Sequence, residues 1–264
     1  MGYKLQTKPM IQLPEKIEVL KEEQNRTVFE ISPLYPGYGI TIGNALRRIL
    51  LSSIQGAAIV TVKIKGVSHE FSTIDGVLEN VIEILINLKK IRLKLFSEEP
   101  VTLQLKVSGE KEIKAKDIKT TSDVEIINQD EHIATLTDKK AELDMEIVVE
   151  KGIGYVPVEQ RQKEKISVGT LAIDAIFSPV KNANFTIENI RVGQRTDYNK
   201  LVFEVETDGT VKPKDAMIKA VKIMTDHLNI MTQRLGEETE TNNKPSEDSE
   251  EKSTKKNKKK AKKE

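Results

Sequence analysis

The chain contains no cysteine in 264 residues. That excludes disulfides, thiolate metal centres and a cysteine nucleophile, and it suits a reducing cytoplasm. No stretch is long and apolar enough to span a bilayer, and the opening MGYKLQTKPMIQLPEK lacks an apolar run of signal-peptide length. Gly2 hints at myristoylation, but Gln6 breaks that pattern. The histidines, His69, His132 and His227, are isolated and lack metal-ligand spacing such as HExxH. Acidic residues are abundant, yet none form the Asp-rich cluster that two-metal phosphoryl transfer requires. Nothing here points to catalysis by this chain alone.

What is present describes a soluble protein with a large polar surface: 38% hydrophobic and 31% charged residues. The length suffices for one large domain or two modest ones with a real core. A formal net charge of +1 gives no hint of nucleic acid, although that average hides an uneven C-terminal end.

The chain is organised around residues 36–53, PGYGITIGNALRRILLSS. Gly37 and Gly39 loosen the backbone, Thr41 can cap, and a helix is predicted from about Ile42. No Lys-Ser or Lys-Thr follows the glycines, so they do not read as a phosphate cradle. Helical spacing puts Ile42, Leu46, Ile49 and Ser53 on one stripe, flanked by Ala45 and Leu50, for burial. Asn44, Arg47, Arg48 and Leu51 share the other side at i, i+3, i+4 and i+7. A large apolar group among two guanidinium groups and an amide suits a partner protein; the plainer reading is a solvated face with one exposed leucine.

Before that helix, residues 1–26 read as a loose polar arm and 27–31 as a strand. After it, 57–65 alternates as a strand, 67–71 reads as its return, and Ser72 or Thr73 caps a helix over 76–89. Short strands are predicted at 91–95, 101–107, 113–118, 124–127, 132–136 and 141–150, then at 168–177, making a mostly antiparallel β region. Residues 184–195 and 201–207 form a hairpin joined through 196–200. Pro213 opens a long helix whose stripe runs through Met217, Ala220, Val221, Met224, Leu228, Met231 and Leu235. That stripe can pack on its own domain or meet a second copy, and methionine suits either.

The string GNALRRILLSS, followed by GAAIVTVKIKGVSHEFSTIDGV, resembles the bacterial and plastid RNA polymerase alpha family in its N-terminal assembly domain. The resemblance returns at 177–196 and 201–216 and covers about 28–235. It implies an α+β fold: a discontinuous dimerisation domain (antiparallel sheet plus two helices; 1–53 and 179–236) with an inserted, mostly antiparallel β domain carrying one helix (54–178). A disordered, charged tail (237–264) follows. It implies a non-catalytic subunit of a nucleotidyltransferase, cytoplasmic or in the plastid stroma, that homodimerises and scaffolds the β and β′ subunits, with omega and sigma in the holoenzyme. No cofactor is implied for this chain; magnesium belongs to β′.

Residue by residue, the resemblance places the β contact on Gly43, Asn44, Arg47, Arg48 and Leu51, with His69 and Glu70 from a second loop. From LAIDAIFSP and IRVGQRTD it places the β′ contact on Asp174, Ser178, Pro179, Arg191, Gln194 and Arg195. The dimer contact falls on Leu46, Ile49, Leu50, Val221, Met224, Leu228 and Met231. The family usually continues into a small DNA-binding domain; here EETETNNKPSEDSEE and KSTKKNKKKAKKE follow instead, so that domain is expected to be absent. The lysine run is either a sequence-blind DNA arm or a solubilising tail. The alternative outside transcription is a self-associating, β-rich adaptor.

Overall fold

A computed structural model of the chain describes residues 11–161 and 169–242, with 237–242 by backbone alone. The disordered tail expected over 237–264 is corrected at its start, because 237–242 continue the last helix; 243–264 lie outside the described residues. In order the elements are β1 (Lys16–Glu22), β2 (Arg26–Leu34), α1 (Tyr38–Ser52), β3 (Gln55–Ile64), α2 (Val81–Lys89), β4 (Leu93–Leu95) and β5 (Val101–Ser108). There follow β6 (Lys111–Lys114), β7 (Val124–Ile126), β8 (His132–Leu136), β9 (Glu142–Ile153), β10 (Tyr155–Val156) and the short α3 (Val158–Arg161). The rest is β11 (Thr170–Ala172), β12 (Ala175–Ile176), β13 (Val180–Val192), β14 (Arg195–Thr207) and α4 (Pro213–Asn242). This is an α+β fold with antiparallel pairing throughout the named strands.

Both ends of the chain build one sheet, in the order β1-β2-β14-β13. Phe29, Leu201, Phe203 and Val205 alternate toward its buried face, where α1 contributes Leu46 and Leu50. The middle of the chain builds a second sheet, β5-β9-β3-β4-β7, with β11 on β3. Its core joins Val62 and Ile64 of β3, Ile147 and Val149 of β9, and Val81, Ile84 and Leu88 of α2. The alternation in 57–65 is what sets β3 in place, and its buried side chains are the Val60, Val62 and Ile64 set together with Ala58 and Ile59.

Several predicted boundaries move, each for a non-local reason. β1 lies inside the supposed loose arm: its seven side chains are all exposed, so backbone pairing to β2, with a bulge between Val19 and Lys21, is what defines it. Residues 67–71 are not a strand; the chain turns after Gly66, and Ser72 folds back onto the His69 carbonyl. α2 starts at Val81 because Asn80 and Glu83 form a reciprocal capping box, at 2.9 and 3.0 Å, displacing Ser72 and Thr73 from that role. The long hairpin turns at Gly193-Gln194 rather than at 196–200, since Val192 pairs with Arg195. Residues 113–118 hold only the end of β6 and a 3-10 turn, and 170–176 is two short strands rather than one.

The chain divides into two compact units, Met1–Lys222 and Ile223–Glu264. As predicted, Pro213 is the first residue of α4. Ala216, Met217 and Ala220 of its first turns are buried, while Val221, Leu228, Met231 and Leu235 are exposed.

Candidate protein-interaction site

α1 begins four residues before the predicted start, at Tyr38, because its cap comes from far along the chain. The Asn199 side chain on β14 accepts from the Gly37 amide at 2.9 Å and the Gly39 amide at 3.3 Å. Thr41 does not cap; its hydroxyl donates to the Gly37 carbonyl. Gly37 has φ 85°, a left-handed conformation that a side chain would strain. Further along, a Cβ on Gly43 would stand 2.7 Å from the Phe185 ring, so Gly43 lets α1 lie close on β13.

The helix is thus fixed with one face inward. Leu46 and Leu50 are buried in their own chain, which corrects their assignment to a dimer contact; Ile49 is half-buried. Gly43 is likewise buried and offers nothing to a β subunit. Asn44, Arg47, Arg48 and Leu51 are all on the exposed side, with Leu51 36% exposed. The two arginines differ. Arg47 donates from Nε to the Ala183 carbonyl at 2.9 Å, so part of its fork closes the edge of β13. Arg48 makes no side-chain hydrogen bond or ion pair within the chain among the described residues.

The second loop meets an unexpected neighbour. His69, Glu70 and the exposed Phe71 line a cleft of about 740 Å³ together with Ile82, Lys89 and Asp174. The predicted β loop and one predicted β′ residue therefore share a wall. Asp174 is bonded to the Lys89 ammonium at 2.8 Å and to the Val158 amide at 3.0 Å, which together hold its carboxyl below the usual carboxylate range. The loop is pinned from behind by Glu79, which accepts from the Thr135 amide at 2.6 Å and bonds His132 Nε2 at 2.8 Å. Burial acts to raise the Glu79 pKa, but the Thr135 amide and His132 outweigh it and lower it.

The remaining β′ residues lie apart from Asp174. Pro179 is buried, which removes it from any contact, and the Ser178 hydroxyl donates to the Leu51 carbonyl at 3.1 Å. Arg191, Gln194 and Arg195 are exposed at the tip of the β13–β14 hairpin, in the other sheet. Arg191 donates to the Gly193 carbonyl, and Arg195 grips Asp197 with two bonds of 3.0 and 2.7 Å while lying 5.6 Å from the centres of the Tyr35 and Tyr198 rings. The Arg195 partner holds the Asp197 pKa below its ordinary value. Sequence reasoning missed Asn199, Phe185 and Lys89; only the asparagine near a strand end carried any signal, and it pointed to no particular helix.

Among the described residues, no group of three or more His, Cys, Asp or Glu side chains is placed to hold a metal ion. Among them, too, no helix is long and apolar enough to cross a membrane.

Residues 62–178 match the model of the RNA polymerase Rpb3/RpoA insert domain. The chain is 49% identical over 217 residues to a DNA-directed RNA polymerase subunit alpha of Oceanobacillus iheyensis, covering 81% of this chain and 69% of that one. The chain belongs to the RNA polymerase alpha subunit family. A Symbiobacterium thermophilum alpha subunit is 51% identical with the same coverage, and one from Roseiflexus castenholzii is 47% identical over 88% of this chain and 72% of its own length. Membership in the alpha family carries a role in DNA-directed RNA polymerase and transcription, and favours it over the adaptor reading.

Proposed function

We propose that the chain homodimerises and that the pair scaffolds the β and β′ subunits of the polymerase, one copy taking each, with no active site of its own. The observation that supports this is the outer face of α1, where Arg48 and Leu51 stand exposed and the Arg48 side chain has no partner among the described residues. An arginine fork can bind carboxylates or carbonyls in pairs while a leucine fills a pocket beside it, the usual make-up of an interface anchor. Asn44 extends this face, and His69 and Glu70 form its second contact. The β′ contact draws on Asp174, Ser178, Arg191, Gln194 and Arg195. Residues 1–53 and 179–236 serve as the dimerisation domain and 54–178 as the insert, and α4 runs on past 236 to Asn242 ahead of the tail. Because Leu46 and Leu50 are buried, the second copy is met by Ile49 with Val221, Met224, Leu228 and Met231.

In this reading magnesium is held by β′, omega and sigma join in the holoenzyme, and DNA is reached through the complex. The compartment is the bacterial cytoplasm or the plastid stroma. The test is the mass of the purified chain by light scattering, alone and mixed with the β subunit of the same organism. The chain alone gives twice its 29.7 kDa monomer mass. Leu228→Asp brings it to the monomer, and β adds to the wild-type pair. A monomeric wild-type chain, or one that leaves β unbound, contradicts the proposal.

A further inference from the structure

A second cleft, of about 640 Å³, opens in the first compact unit and shares no lining residue with α1 or with the His69–Asp174 wall. β3 and β4 pair only at Ala57 with Leu93. Beside that pair the cleft is lined by Gln55 and Gly56 of β3, by Leu95 of β4 and by Phe96 just past its end. The start of α4 closes the far side with Lys212, Asp215, Ile218 and Lys219. The volume is that of a ligand-sized site.

Two features of the lining define what would fit. Phe96 on the strand wall and Ile218 on the helix wall are 61% and 58% exposed, well outside the burial normal for such large apolar side chains. Around them stand four lysines, Lys94, Lys151, Lys212 and Lys219, against the single carboxylate of Asp215. Lys151 is tied to Glu98 at 2.6 Å and Lys94 lies 3.7 Å from Glu125. Lys212 and Lys219 pair with no carboxylate among the described residues. The turn behind them is rigid: Asp208 accepts from the Thr210 amide and hydroxyl at 2.9 and 2.6 Å, so the lysines project from a fixed wall.

We propose that this cleft docks an acidic peptide segment of a partner protein, an apolar side chain seated between Phe96 and Ile218 and flanking carboxylates held by Lys212 and Lys219. A concave slot with an apolar floor admits a peptide side chain, whereas a duplex is too wide to enter it. Lysine ammoniums act as point charges and accept carboxylates in many geometries, which suits an extended acidic segment.

The experiment uses the full chain and a fluorescent six-residue peptide in which leucine and phenylalanine are flanked on each side by two glutamates. Anisotropy at low salt gives a saturable curve that weakens as salt rises. Lys212→Glu with Lys219→Glu weakens binding at least tenfold, as does Phe96→Ala, while Arg48→Ala leaves it unchanged. Those sites are exposed, and matching thermal melts confirm that the variants fold. An unbound wild-type curve, binding untouched by the lysine reversals, or a single-stranded oligonucleotide that binds this cleft more tightly than the peptide would overturn the proposal. Because Arg48 governs capture of the large subunit and not this peptide, the outcome stands apart from that of the scaffold reading.

Discussion

Arg48, on the outer face of α1, makes no ion pair among the described residues, whereas Arg195, at the hairpin tip, is gripped twice by Asp197 and lies against two tyrosine rings. Both are exposed, and the family resemblance implies a large-subunit contact for each. The difference is one of satisfaction: Arg195 would have to give up its carboxylate to bind another, while Arg48 has no side-chain partner among the described residues to give up. Exposure alone therefore does not mark a contact residue; exposure without an internal partner is the stronger sign. Arg47 stands between these cases, since its Nε is engaged by Ala183.

Adjacent residues of α1 allow the largest effect to be tested first. Leu50 is fully buried and Leu51 is not. Leu50→Ala should cost about 2–5 kcal/mol of stability in urea unfolding. Leu51→Ala should stay within about 0.5 kcal/mol. Equal losses would show that the two faces of the helix are not distinct. A smaller effect tests the link between the two regions, since Asn199 sits on the hairpin's second strand and caps the helix. Asn199→Ala should lose about 1–2 kcal/mol and expose the first-turn amides of α1 to faster hydrogen exchange. Unchanged exchange at Gly39 would remove Asn199 from that role.

The smallest effect concerns Glu79, which like Arg195 is satisfied within the chain. Its folded pKa lies below the unfolded value, so its contribution is complete above about pH 4.3 and fades as pH falls through the folded value. Glu79→Gln should therefore lose about 1 kcal/mol at pH 7 and match the wild type at strongly acidic pH. A deficit that stays constant with pH would mean that the charge is not what matters.

How much of this was legible follows from the range of each interaction. The outer face of α1 could be read because Asn44, Arg47, Arg48 and Leu51 are neighbours by helical spacing, which is a local property. The alternation of 57–65 gave β3, and Pro213 gave the start of α4, for the same reason. Asn199 capping Gly37 could not be read, nor could Phe185 lying over Gly43, since each spans well over a hundred residues. β1 escaped notice because its side chains face solvent and its only signature is backbone pairing. The burial of Leu46 and Leu50 is compatible with an amphipathic stripe, but the stripe does not say whether its own sheet or a second copy covers it. The joining of His69, Glu70 and Asp174 in one cleft depends on how β11 returns to β3, and no local pattern shows that.

The most direct test measures capture of the β subunit by the wild type, Arg48→Ala and Arg195→Ala, with the mass of each alpha pair checked alongside. The account predicts that Arg48→Ala keeps its dimer mass and loses about 2 kcal/mol or more in affinity for β, while Arg195→Ala binds β as the wild type does. If Arg48→Ala captures β at full strength, the bare face of α1 is not the surface that the larger subunit grips.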